Sequence, residues 1–334
     1  MKKKTIILIP ILIAALVAPG CGGVVTPIDE GFGSKPQSAP TAQSTAASEP
    51  EEEAAAPAPT GKGTRDNTPK CLEPVADGTE LYTNDVGFID ASHKGDGYVC
   101  VKYTGESENV KVLITPEGGA TYTYNLIGHE YETFPLSCGN GNYTVAIYTL
   151  VSGTSYATCL SQVVPVEITN AFGAYLYPNQ YVKFNAGSQV VAKAKELVEP
   201  ANNDLEAVTL VYDYVTGNIT YDYDKASTVA GGYTSNVDEI LRIGTGICLD
   251  YSAVMCSMLR SQGIPTHLEV GYAGEAYHAW ISVFIEDVGW LNGIIEFDGK
   301  DWSLVDPTFA ANSSESALKN FIGDGSNYTV MYVY

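Results

Sequence analysis

Three residues in the second half of the chain have the side-chain types needed for thiol chemistry on a carbonyl: Cys248, His278 and Asp306. A thiolate attacks the carbonyl carbon, an imidazole carries the proton, and a carboxylate keeps the imidazole in the working orientation. Cys248 follows the flexible approach Gly244-Thr245-Gly246-Ile247 and opens the run Leu249 to Gln262, which reads as a helix. The unpaired N–H groups and the dipole at a helix start stabilise a thiolate, so ionisation below the usual thiol value of about 8.5 is expected there. The same N–H groups are placed to hold the oxyanion that forms on attack. His278 opens the strand-like His278-Ala279-Trp280, and Asp306 closes Trp302 to Val305. Two neighbouring antiparallel strands can set an imidazole beside a carboxylate.

The elements that must position these groups begin near Asn170. Ser188 is a good N-cap for a helix through Val198, and Asp204 caps another that ends at Gly217. Ser235 or Asn236 starts a short helix ahead of Gly244, and the Cys248 helix stops at Gly263-Ile264-Pro265. Strand-like segments follow at Thr266 to Tyr272, His278 to Ile285, Ile294 to Phe297 and Trp302 to Val305. Helices first and an antiparallel sheet afterwards is an α+β order.

Five blocks occur in sequence: Gly246-x-Cys248-x-Asp250-Tyr251-Ser252-Ala253, Leu259-Arg260-x-x-Gly263-Ile264-Pro265, Gly271-Tyr272, His278-Ala279-Trp280 and Trp302-x-x-Val305-Asp306-Pro307-Thr308. Their order and spacing over about residues 190–310 resemble the transglutaminase-like superfamily. Tyr221-Asp222 is similar to the tyrosine-containing segment that precedes the cysteine in that family. The resemblance implies a papain-like thiol fold with Cys248 as nucleophile, His278 as base and acid, and Asp306 as orienter. His267 stands where members often carry arginine, and a strand histidine beside Leu268 reads as structural. The calcium pattern of the animal enzymes is not evident, and the resemblance does not extend over Ala311 to Tyr334.

Between Cys71 and about Thr169 the pattern is β. Gly97–Tyr103, Val110–Thr115, Ala120–Asn125 and Asn142–Thr149 are rich in β-branched and aromatic residues and are bounded by Gly, Asn, Pro or Asp. A small all-β, sandwich-like domain is expected. Its tyrosines read as sheet packing, with a sugar-stacking face as the alternative. Of the seven cysteines, Cys71, Cys100, Cys138 and Cys159 fall here, an even number, so in an exported protein one or two disulfides are possible and three full pairings stay open. Cys256 reads as a buried small hydrophobe. The cysteines show no ligand pattern with histidine, so neither a zinc site nor any cofactor is expected.

Lys2, Lys3 and Lys4 precede the apolar run Thr5 to Val17, which suits a signal peptide. Ala18-Pro19-Gly20-Cys21 resembles a bacterial lipobox, making Cys21 the expected lipidation site. The Pro-, Ala- and Glu-rich stretch that follows, to about Lys70, cannot bury enough to order itself. As a flexible tether it would reach roughly 40 Å. The expected organisation is a signal peptide over 1–20, lipidated cysteine and linker over 21–70, a β-sandwich-like domain over 71–169 and a transglutaminase-like domain over 170–334. The formal charge of −21 disfavours nucleic acid as a partner. The expected protein is a thiol enzyme lipid-anchored on the extracellular face of a bacterial membrane, acting on amide bonds of proteins or peptides, cell-wall peptide included, and leaning to hydrolysis. The alternative is a non-catalytic surface binding or scaffolding protein.

Overall fold

The computed structural model describes residues 61–273, 276–286, 288–297, 302–304 and 328–334. Cys21, the leader and Asp306 lie outside the described residues.

The β region forms two four-stranded antiparallel sheets. One holds β1 (Leu81–Thr83), β2 (Gly87–Asp90), β3 (Tyr98–Tyr103) and β6 (Glu132–Pro135) in the order β1-β2-β3-β6. The other holds β4 (Val110–Pro116), β5 (Tyr122–Leu126), β7 (Gly141–Ser152) and β8 (Ser155–Val166) in the order β5-β4-β7-β8. Period-two alternation builds the core: Val110, Val112 and Ile114 of β4 and Tyr122, Tyr124 and Leu126 of β5 are buried, together with Ile89, Val101 and Phe134 from the other sheet. Tyr98, Tyr122, Tyr124 and Tyr143 therefore pack inside the domain rather than forming a sugar-stacking face.

The possible disulfides are not formed among the described cysteines. Cys71, Cys100, Cys138 and Cys159 are all free thiols, and their near neighbours are other groups: Thr133 at Cys100, Tyr122 at Cys138 and Asn84 at Cys159. An even cysteine count says only that pairing is arithmetically allowed; Cys100 lies on β3 in one sheet and Cys159 on β8 in the other, while Cys71 and Cys138 lie in loops.

The second region opens with α1 (Gln189–Leu197) and α2 (Asp204–Asn218), followed by β9 (Thr220–Tyr221), α3 (Tyr223–Thr228), α4 (Val237–Ile243) and β10 (Thr245–Gly246). α5 (Cys248–Ser261) then packs on β11 (Thr266–Ala273) and β12 (Ala276–Ile285), strands of a sheet completed by β13 (Gly289–Phe297), β14 (Trp302–Leu304) and β15 (Tyr328–Val333). The sheet order is β14-β13-β12-β11-β15, with every neighbour antiparallel. Every residue of α5 is buried, which makes it the core helix of the fold.

Several local details differ from expectation. Ser188 precedes α1 but makes no capping bond with its side chain; Asp238 of α4 accepts from the Gln189 and Val190 N–H groups at 3.1 and 2.9 Å. Asn203, not Asp204, caps α2 by accepting the Glu206 N–H at 2.9 Å, and the helix runs past Gly217 to Asn218. Residues 61–70, expected as the end of the tether, are folded onto the helices. Arg65 pairs with Asp204 at 2.6 Å and donates to Gln262 O at 2.8 Å, and the Lys70 N–H donates to Ser261 O at 2.6 Å.

β15 is an element that the sequence reading missed. It ties the two regions together: Ser137 Oγ donates to Val333 O at 2.6 Å, and Tyr122 packs edge-on to Tyr332 and Tyr334 at 5.2 and 5.7 Å. Arg260, fully buried in α5, donates to Thr266 O, Tyr177 O and Tyr334 O at 2.7, 2.9 and 2.6 Å. One guanidinium thus joins the Gly263-Ile264-Pro265 turn, the interdomain segment and the end of β15.

Candidate active site

Cys248 is the first residue of α5, and Ile247 before it is extended (φ −100°, ψ 175°). The turn that delivers it is built from backbone. Gly244 ends α4 in the left-handed region (φ 66°), which favours glycine. The parallel pairing of β10 with β9 then directs the chain into the helix. Gly246 is required by close approach, since a Cβ there would lie 2.7 Å from Asp250 Cβ.

Asp250 explains that closeness. Its carboxylate is fully buried and accepts the Ile247 N–H at 2.9 Å, the Tyr233 hydroxyl at 2.6 Å and Lys225 Nζ at 2.7 Å. An acid in the third helical position that reaches back to the N-cap N–H is half of a capping box. Asp250 stands inside the Gly246-x-Cys248-x-Asp250 block, while neither Lys225 nor Tyr233 belongs to a motif in the sequence.

Three donors converge on the Cys248 sulfur: the N–H groups of Ala279 and Leu249 and the hydroxyl of Tyr221. β13 pairs with β12 from Ile281 to Ile285 only, and Ala279 lies before that stretch. His278, the residue before Ala279, is 6% exposed and pairs across the ladder with Gly271. β15 approaches Gly271 closely, since a Cβ there would stand 2.0 Å from Thr329 O. The described structure therefore brings the Cys248 thiol to the strand of His278.

The expected low thiol pKa is not met in this geometry. Burial pushes the Cys248 thiol up to about 11; the three donors act against it, and the Asp250 charge adds to it. Burial likewise holds the His278 imidazole down at about 4. With values shifted in these directions, thiol and imidazole are both uncharged near neutral pH. Helix position alone could not reveal this, because the depth of the thiol is a tertiary property.

Trp280 lies 6.3 Å from His278, ring to ring, and its indole N–H donates to Glu269 at 2.5 Å. The other Glu269 oxygen lies 3.1 Å from His267 Nδ1, and the His267 ring stacks on Trp290 at 3.7 Å. His267 is thus held between Glu269 and Trp290. Cys256 is buried, with its thiol pushed up to about 12, and stands clear of the chemistry. Among the described residues, no cluster of three or more His, Cys, Asp or Glu could hold a metal ion.

A buried cysteine at the start of a core helix, packed on an antiparallel sheet that carries a buried histidine, is the arrangement of a papain-like thiol fold. Residues 191–293 match the model of the transglutaminase-like superfamily. YebA of Bacillus subtilis, a protein without an assigned function, is 25% identical over 173 residues. That alignment covers 45% of this chain but only 22% of YebA, so the chain spans about a fifth of that relative's length. Among solved structures, a provisionally assigned cysteine protease from Cytophaga hutchinsonii is 13% identical, with a TM-score of 0.32 over 64% of this chain and 67% of its own. Red sea bream transglutaminase is 12% identical, with a TM-score of 0.29 over 67% and 53%. Superpositions this loose define no shared activity.

Proposed function

We propose that the chain is a thiol enzyme that cleaves amide bonds through Cys248, His278 and Asp306 by way of a thioester, with water as the usual acceptor. The observation that carries this reading is the convergence of the Ala279 N–H, the Leu249 N–H and the Tyr221 hydroxyl on the Cys248 sulfur, one residue from His278. Sulfur attacks the carbonyl carbon as its proton passes to His278, and the N–H groups at the start of α5 face the resulting oxyanion. The carbon–nitrogen bond then breaks as the imidazolium gives its proton to the leaving amine. Water, deprotonated by His278, attacks the thioester, the carbon–sulfur bond breaks and the thiol recovers its proton. A primary amine in place of water would form a new amide. Asp306 is assigned the task of orienting the imidazole.

The same proposal places the enzyme on the outer face of a bacterial membrane, held by a lipid on Cys21, with protein or cell-wall peptide as substrate. The support is the Lys2-Lys3-Lys4 start, the apolar run and the lipobox-like Ala18 to Cys21. No described helix is long and apolar enough to cross a membrane.

The test is a panel of casein and wall peptides incubated with the protein, with and without a fluorescent primary amine, followed by mass spectrometry against Cys248→Ala. New termini or released ammonia that depend on Cys248 support hydrolysis. Incorporation of the amine replaces hydrolysis with transfer. Binding to the panel with no Cys248-dependent product would favour a surface binding protein instead.

A further inference from the structure

The segment between α2 and α4 crosses the start of α5. β9 pairs with β10, so that the Asp222 N–H donates to Gly246 O at 2.9 Å. Asp222 then caps α3, its side chain accepting the Lys225 N–H at 2.8 Å. The Lys225 side chain emerges from this fixed backbone, partly exposed at 26%, and its Nζ reaches the wholly buried Asp250 at 2.7 Å. It also donates to the Tyr233 oxygen at 2.7 Å, and Tyr233 in turn donates to Asp250 at 2.6 Å. One crossing segment therefore brings Tyr221 to the nucleophile and Lys225 and Tyr233 to the carboxylate two residues after it.

A buried carboxylate beside a nucleophilic thiol opposes the chemistry, because its charge disfavours a second negative charge on sulfur. Asp250 is nevertheless structurally useful, since it satisfies the Ile247 N–H at the helix start. Lys225 reconciles the two demands. We propose that Lys225 is a positioning residue for the nucleophile: its ammonium neutralises Asp250, so that the helix start keeps its cap without its charge opposing the Cys248 thiolate. This rests on the reading of Cys248 as the nucleophile and adds to it a residue that never touches substrate. The titratable and charged groups in this neighbourhood are Tyr221 from β9, Asp222 before α3, Tyr223, Asp224 and Lys225 on α3, Tyr233 after it, Asp250 and Tyr251 on α5, and His278 on β12. Of these, only Lys225 brings a permanent positive charge to Asp250 among the ion pairs described.

The test is site-resolved alkylation of the whole protein by iodoacetamide at pH 8, with Cys248 and Cys256 followed separately by peptide mapping. The rate at fixed pH reads the thiolate fraction, and it needs no substrate. Lys225→Met is expected to slow Cys248 labelling by roughly tenfold, the consequence of about a one-unit rise in thiol pKa. Lys225→Arg, which keeps the charge, should stay near the wild-type rate, and Lys225→Met combined with Asp250→Asn should recover it. A purely structural role for Lys225 would loosen the crossing segment and speed labelling. Labelling of Lys225→Met at or above the wild-type rate, or no recovery in the double variant, would overturn the proposal. Should the peptide panel give no product while these rates behave as described, the amide-cleaving reading fails and the Lys225 assignment stands.

Discussion

The neutral state of His278 sets how the fold should respond to acid. Burial holds its folded pKa at about 4, against 6.5 for the free side chain. Because the folded value is the lower one, the unfolded chain takes up the proton first as pH falls. The stabilising contribution is therefore complete above pH 6.5, shrinks as pH drops from there toward 4, and is gone below. Integrated over that window, the loss is about 2 kcal/mol by pH 5 and about 3 kcal/mol by pH 4. His267 is shifted the same way, first by burial and with Glu269 opposing, so it adds to the acid sensitivity. The His278 share is isolated by urea denaturation of the wild type and His278→Gln at pH 7 and pH 5. The wild type should lose about 2 kcal/mol more than the variant between those two values. Equal losses would mean that the imidazole is protonated in the folded protein, and the neutral thiol–imidazole pair would have to be abandoned.

Three further outcomes follow from the same contacts. Arg260→Met keeps the packing of the stem but strands the carbonyls of Thr266, Tyr177 and Tyr334, so urea denaturation should show a loss of about 3–5 kcal/mol. Gly271→Ala drives a methyl group into Thr329 O and should open the contact between β11 and β15; a loss of about 1–3 kcal/mol and faster amide exchange over Thr329 to Val333 are expected. Tyr221→Phe removes one of three donors at the Cys248 sulfur, and should lower the rate of Cys248 alkylation at fixed pH while leaving Cys256 unaffected.

What the sequence disclosed was local. Gly244 and Gly263 both take positive φ, 66° and 75°, and bracket α5 where a glycine stop signal predicts. Strands β3, β4, β5 and β7 follow their β-branched runs, since alternation is written residue by residue. The shorter β1, β2 and β6 carry too little pattern to stand out, and β15 depends on pairing with β11, far away in sequence. The site divides in the same way. Cys248 and His278 were marked by their blocks, and the packing of α5 on β12 brings the Cys248 thiol to the Ala279 backbone beside His278. Lys225 and Tyr233 were invisible, because their task exists only once the segment before α4 folds across Asp250. The ionisation of Cys248 was misjudged for a related reason: a helix start lowers a thiol pKa, yet at 2% exposure the loss of water outweighs it.

The central claim is that Cys248 carries the acyl group. The direct measurement is an acid quench of the protein turning over a cleavable amide from the panel, followed by peptide mapping. A mass increase equal to the acyl part of the substrate, found on the peptide that contains Cys248, lost on hydroxylamine treatment and absent from Cys248→Ala, is the predicted result. Product formation at an undiminished rate by Cys248→Ala would contradict the account.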